Sequence, residues 1–112
     1  MKIAISVDGT SLDDKLDLRF GRAKGFIIYE TDDDTYKYID NNQNVEAVQG
    51  AGIQAAQTVL DNDVKAIITG YCGPKAYAVL FEDDVLVYTS EQDVVKNVIQ
   101  KFKNNELKLQ EE

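Results

Sequence analysis

The chain divides into short runs of alternating or continuous apolar residues and longer stretches with helical spacing. Residues 2–7 (KIAISV) are β-rich and alternate, and Asp8-Gly9-Thr10 ends the run, which predicts a first strand. Residues 11–18 are polar, with Leu12, Leu16 and Leu18 as apolar anchors, and read as a long loop. Residues 25–30 (GFIIYE) and 36–40 (YKYID) flank an acidic turn, the pattern of a β-hairpin. An asparagine-rich loop over 41–49 leads to Gly50-Ala51-Gly52, which opens a helix through about Asp61 with Ile53, Ala56 and Leu60 on one face. Residues 64–68 (VKAII) are nearly all apolar, as in a strand covered on both faces. A second helix is predicted over 74–81, with Pro74 at its first position, where a missing N–H costs nothing. Residues 85–88 (VLVY) give the last strand. Ser90, with Asp93 three residues on, matches a capping box and predicts a third helix. Its buried stripe would be Val94, Val95, Val98, Ile99 and Phe102.

The resulting order is βββαβαβα. Strands joined by helices require right-handed crossovers and parallel neighbours, while the hairpin adds an antiparallel strand. This is an α/β domain with helices on both faces of one sheet. A single domain over 1–103 is expected, with 104–112 as a frayed acidic tail.

Composition narrows the function. The 12 basic and 20 acidic residues give a formal charge of −8, which argues against a nucleic-acid partner, whose phosphates demand cations. No apolar run approaches the ~20 residues of a membrane span, and the first residues are too short for a signal-peptide core, so a cytoplasmic protein is expected. A monomer is the simplest oligomeric state. The chain has no histidine, which removes Cys/His zinc sites and histidine-based triads. Its one cysteine cannot form an internal disulfide.

In an open α/β sheet, ligands bind beyond the carboxyl ends of the strands, where the strand order reverses. The loops there are 8–23 and the corner Gly70-Tyr71-Cys72-Gly73-Pro74. Gly70 and Gly73 would let backbone approach a ligand, and Pro74 starts a helix whose N–H groups would face it. Gly50-Ala51-Gly52 is a second helix start with the same property. Around Phe20-Gly21, Arg19 and Arg22 offer planar donors for an oxyanion, or surface ion pairs with the many acids. Cys72, at a helix start, is a candidate soft metal ligand through a stabilised thiolate, or a small buried apolar residue. A lone thiolate cannot close a metal site, so any metal would arrive with its other ligands attached. GAGIQA at 50–55 fits a dinucleotide-binding spacing, but a nine-residue loop separates it from the preceding strand, and the context fails. Asp8, Asp13, Asp14 and Asp17 could be read as magnesium ligands of a nuclease, or as solvated loop residues. Tyr29, Tyr36 and Tyr38 read as sheet-packing residues.

LDLRFGRAKGFIIYE at 16–30, GAGIQAAQTVL at 50–60 and VKAIITGYCGPKAYAVL at 64–80 resemble the dinitrogenase iron–molybdenum cofactor biosynthesis family over nearly the whole chain. The resemblance implies a ribonuclease-H-like, three-layer α/β/α domain. Its five-stranded mixed sheet would be ordered 3-2-1-4-5, with the second strand antiparallel. It further implies a non-enzymatic binding or carrier protein for an iron–molybdenum cofactor precursor or another anionic metal–sulfur cluster, held non-covalently. The site would comprise Arg19, Phe20, Gly21, Arg22, Gly50, Ala51, Gly52, Gly70, Tyr71, Cys72, Gly73 and Pro74. Two features depart from the family pattern. Val48-Gln49 stands where some members carry histidine, and Glu82-Asp83-Asp84-Val85 replaces a Gly-Ile turn. The same N–H groups would also suit a metal-free module for a phosphate-bearing metabolite. A magnesium-dependent nuclease or phosphodiesterase on this scaffold is the third reading.

Overall fold

The computed structural model describes residues 1–47 and 49–111, so Val48, one of the two residues expected to stand where some family members carry histidine, and Glu112 lie outside the described residues. The elements are β1 (Lys2–Asp8), β2 (Lys15–Leu16), β3 (Gly25–Glu30), β4 (Tyr36–Asp40), α1 (Ala51–Leu60), β5 (Ala66–Thr69), α2 (Pro74–Glu82), β6 (Leu86–Thr89), α3 (Val95–Lys103) and β7 (Lys108–Leu109). One mixed sheet runs β4-β3-β1-β5-β6-β7, and β2 pairs with the end of β1. β1, β5 and β6 are parallel, while β3 is antiparallel to β1 and β4 to β3.

The sheet has seven strands where five were expected. The five long ones keep the expected order, and the two additions are two-residue strands, too short for any alternation to show. β7 pairs antiparallel with β6, Tyr88 opposite Leu109. The stretch after Asn104, expected to fray, is therefore tied into the sheet.

Side chains alternate across a strand, so the central strands feed two cores. Ile3, Ile5 and Val7 of β1 join Leu16, Ile27, Ile68 and the α3 residues Val95, Val98 and Ile99 on one face. Ala4 joins Phe26, Ile28, Ile67 and Val87 against α1 and α2 on the other. The result is three layers.

Two helices differ from the pattern read in sequence. In α1 the buried residues are Ala51, Ala55, Ala56 and Val59, whereas Ile53 is 40% exposed. The buried face is built of small residues because α2 lies close: a Cβ added to Gly52 would stand 3.3 Å from that of Ala76. α3 begins at Val95, not near Ser90, whose hydroxyl donates to the Glu91 carbonyl at 2.8 Å. The last two residues before α3 pair with β2, and Val94 is extended at φ −70° and ψ 141°. The Leu16 N–H donates to Asp93 O at 2.9 Å, and Lys15 bridges Val94. No side chain replaces the expected cap: the first N–H groups of α3 go to loop carbonyls, Val95 N to Asp14 O at 2.8 Å and Lys96 N to Leu12 O at 3.0 Å, while the Asp93 carboxylate accepts from Val94 N at 2.7 Å and Asn97 Nδ2 at 3.0 Å. Val94 is accordingly half-buried at the helix start and lies outside the helical stripe. The departure at 82–85 is a turn, with Asp84 at φ 60°, a conformation aspartate tolerates. Among the described residues, no helix is long and apolar enough to cross a membrane.

Candidate anion-binding site

The crevice between the carboxyl ends of β1 and β5, where a ligand was expected, is filled by the chain itself. The Ser6 hydroxyl donates to Asp17 O at 2.6 Å and lies 2.8 Å from the Thr69 hydroxyl, and both Ser6 and Thr69 are fully buried. The loop from Leu16 to Ala23 runs alongside the corner after β5. Tyr71 N donates to Leu18 O at 3.0 Å, and Phe20 N to Tyr71 O at 3.3 Å. Gly70 is glycine because a Cβ there would fall 2.6 Å from Leu18 O.

Several candidate residues are engaged elsewhere. Arg19 forks onto Asp17, with Nε–Oδ1 and Nη2–Oδ2 both at 3.2 Å, and that hydrogen bond raises its already high pKa. Arg22 turns its Nη1 to the carbonyls of Ala47 (2.7 Å), Val45 (3.3 Å) and Asn44 (3.5 Å). Both guanidinium groups therefore serve the loops that carry them. Phe20 is a core residue, its ring centroid 5.2 Å from that of Phe26. Cys72 is fully buried in the same core, so the expectation of an accessible thiolate ligand is replaced by the apolar alternative.

The aspartates of 8–17 also separate. Asp8 pairs with Lys24 at 3.2 Å, Asp13 with Lys96 at 2.9 Å, and Asp17 with Arg19. Asp14 accepts from Thr10 N and Ser11 N at 2.8 and 3.0 Å, and these bonds hold its carboxyl below the usual carboxylate range. Among the described residues, no group of three or more Cys, Asp or Glu is placed to hold a metal ion.

The structure does bring the two glycine-lined helix starts together. In α1 the first intrahelical bond runs from Gln54 N to Gly50 O at 3.0 Å, which leaves the N–H groups of Ala51, Gly52 and Ile53 directed out of the helix end. In α2 it runs from Tyr77 N to Gly73 O at 2.9 Å, leaving those of Lys75 and Ala76. Neither end has a side-chain cap. Gly21 wedges against α1: a Cβ on it would come within 2.8 Å of Gly52 Cα. Gly50 and Gly73 differ from the other glycines of the site, because a Cβ on either would meet nothing within 4 Å. Gly50 still needs its glycine, at φ 79°, whereas Gly73 at φ −61° and ψ 160° does not. Gln49, Gly50, Gly52, Ile53 and Lys75 line an open depression of about 380 Å³ between the helix starts. Tyr71, 60% exposed, precedes the α2 start.

Lys75 was missed in sequence, although it carried a signal. A cation in the first turn of a helix opposes the helix dipole, so it stands against local preference unless an anion sits nearby. Gln49 and Ile53 carried no such mark.

Helix N-termini are anion sites by virtue of their outward N–H groups and positive dipole ends. Fold and site together define a small three-layer α/β domain with an open corner between two uncapped helix N-termini. The sequence model of the dinitrogenase iron–molybdenum cofactor family matches residues 1–105, and the chain belongs to that family. The orange protein of Desulfovibrio gigas, solved in its apo form, is 32% identical, with a TM-score of 0.93 over 97% of this chain and 92% of that one. A NifB-like protein of Thermotoga, from the DUF35 family, is 28% identical with a TM-score of 0.85 over 96% and 91% of the two chains. An uncharacterised protein of Methanocaldococcus jannaschii is 29% identical over 109 residues, 96% of this chain and 89% of its own.

Proposed function

We propose that the chain is a small, non-enzymatic carrier that holds an anionic metal–sulfur cluster or iron–molybdenum cofactor precursor non-covalently between the starts of α1 and α2. The observation that carries this reading is the open space at Gly50 and Gly73 beside two uncapped helix N-termini. Gly73 is demanded by neither backbone conformation nor packing, and close approach of a ligand supplies a reason for it. N–H groups of Ala51, Gly52, Lys75 and Ala76 would hydrogen-bond the cargo, and the Lys75 ammonium would offset its charge. A family named for a cofactor, and a relative solved in an apo form, support a binding role. The order of the five long strands supports the ribonuclease-H-like class for the fold.

The test is an anaerobic equilibrium dialysis against tetrathiomolybdate, with the retained ion read by its own visible absorption. Wild type should saturate, Cys72→Ser should bind as wild type does, and Lys75→Glu should bind about tenfold more weakly, or ~1.4 kcal/mol. A wild-type protein that retains no tetrathiomolybdate refutes the reading.

One observation favours a second reading. The donors at the depression are all N–H groups and an ammonium, while the only thiol lies in the core, a set that equally suits a phosphate-bearing metabolite. Thermal-shift measurements with such metabolites separate the two, since a ligand at 100 times its Kd stabilises by ~2.7 kcal/mol.

A further inference from the structure

Gln110 lies outside the site described above, yet it holds one of its walls. Its backbone N–H donates to Val87 O at 2.8 Å, continuing the ladder that β7 begins on β6. Its side-chain amide then turns onto the corner after β5. Oε1 accepts from Cys72 N at 2.8 Å, and Nε2 donates to Cys72 O at 2.7 Å. A third tether comes from α2, where the Tyr77 hydroxyl donates to Gln110 O at 3.3 Å.

A primary amide bonded both ways to one residue reproduces the exchange of N–H and C=O bonds within a hydrogen-bonded pair of an antiparallel ladder. It fixes the orientation of two successive peptide planes, not merely a position. The residue so held is the one before Gly73, the N-cap of α2. The direction in which the chain enters α2 decides where the N–H groups of Lys75 and Ala76 point. The same direction decides whether Gly73 faces open space.

We propose that Gln110 is a positioning residue of the anion site: the C-terminal strand straps the sheet edge, and its amide sets the Cys72–Gly73 corner for ligand binding. The proposal rests on the reading of the site given above. The strap acts at a distance in sequence, 38 residues from the corner it holds. The last strand thus becomes part of the binding apparatus, not a passive end.

The test compares wild type with Gln110→Met, which keeps the side-chain volume and removes both amide bonds, and Gln110→Ala. Each is titrated with two probes, tetrathiomolybdate and inorganic phosphate, and melted in denaturant. Amide exchange at Tyr77, whose N–H closes the first turn of α2 on Gly73 O, and the rate of Cys72 labelling by an aromatic disulfide report on the corner. Both variants should bind the probe that wild type binds about tenfold more weakly. Exchange and labelling should rise about tenfold, while exchange in α3 stays as in wild type. Variants that melt earlier or loosen the corner, yet bind as tightly as wild type, reduce Gln110 to a structural tie and overturn this proposal alone. If wild type binds neither probe, the site reading and this proposal fall together, a result distinct from the first.

Discussion

Gly73 separates ligand chemistry from folding at a single position. Its backbone lies where any residue can, and an added Cβ would touch nothing. Replacing it by alanine restricts the unfolded chain, which stabilises by roughly 0.4–1 kcal/mol, against a comparable loss of roughly 0.5–1 kcal/mol at the N-cap, where alanine ranks well below glycine. Gly73→Ala should therefore melt close to the wild-type temperature while binding tetrathiomolybdate several-fold more weakly. Unchanged affinity would place the anion elsewhere. Gly50→Ala should lose about 1–2 kcal/mol of stability, because a side chain at φ 79° is strained; its denaturant midpoint reads this directly. The cluster of glycines was visible in sequence, but not its division of labour. Gly21, Gly52 and Gly70 allow backbones to meet and Gly50 and Gly73 border open space, a distinction that depends on what lies across a non-local contact. Of the two readings of the arginines, the ion pair holds for Arg19, whose acid is two residues away, whereas the carbonyls that take Arg22 lie more than twenty residues on, where spacing does not reach.

At the scale of elements, long strands declare themselves because many alternating positions agree, so β1, β3, β4, β5 and β6 were legible and the two-residue β2 and β7 were not. The cost of missing β2 appears far along the chain, because its backbone pairs with Asp93 and Val94 and α3 starts only at Val95. The side chain that steadies the start of α3 is that of Asp93, through Val94 N, Asn97 and Lys101, not that of Ser90. Asp93→Ala should cost about 1 kcal/mol at neutral pH, and Ser90→Ala close to nothing. The pH dependence follows from the charge. The bonds from Asn97 and Val94 N, then Lys101, hold the Asp93 carboxyl below its usual range. A carboxyl depressed in the folded state contributes in full above the unfolded value of about 4, and the contribution is lost as pH falls through the folded value. The stability gap between wild type and Asp93→Ala should be constant from pH 7 to about 5 and shrink towards zero near pH 2. A gap that persists in acid would mean that the side chain works by packing and not as a charged acceptor. The α1 stripe shows a different limit. Helical spacing marked a face with Ile53 on it, but the α1–α2 approach selected the alanine face instead, since only small side chains let two helices lie so close.

Over the whole molecule, the proposed anion site sits on a chain of net charge −8, and the two pull in opposite directions. The N–H groups and Lys75 act at contact, where salt screens little. The carboxylates act across the body of a molecule 35 × 26 × 24 Å in extent. The Debye length is ~30 Å at 0.01 M salt, so a bound anion there feels nearly all of that negative charge. At 0.1 M it is ~10 Å, and only groups near the depression still count. Raising the ionic strength therefore removes more repulsion than attraction. Tetrathiomolybdate affinity should rise, by roughly two- to fivefold, between 0.01 and 0.15 M sodium gluconate, a salt whose bulky anion competes poorly for helix N–H groups. A protein that bound the same anion through a basic patch would lose affinity over that range. A falling titration series would thus show that cations outside the depression, Arg19 among them, supply the attraction, and that the paired helix starts do not.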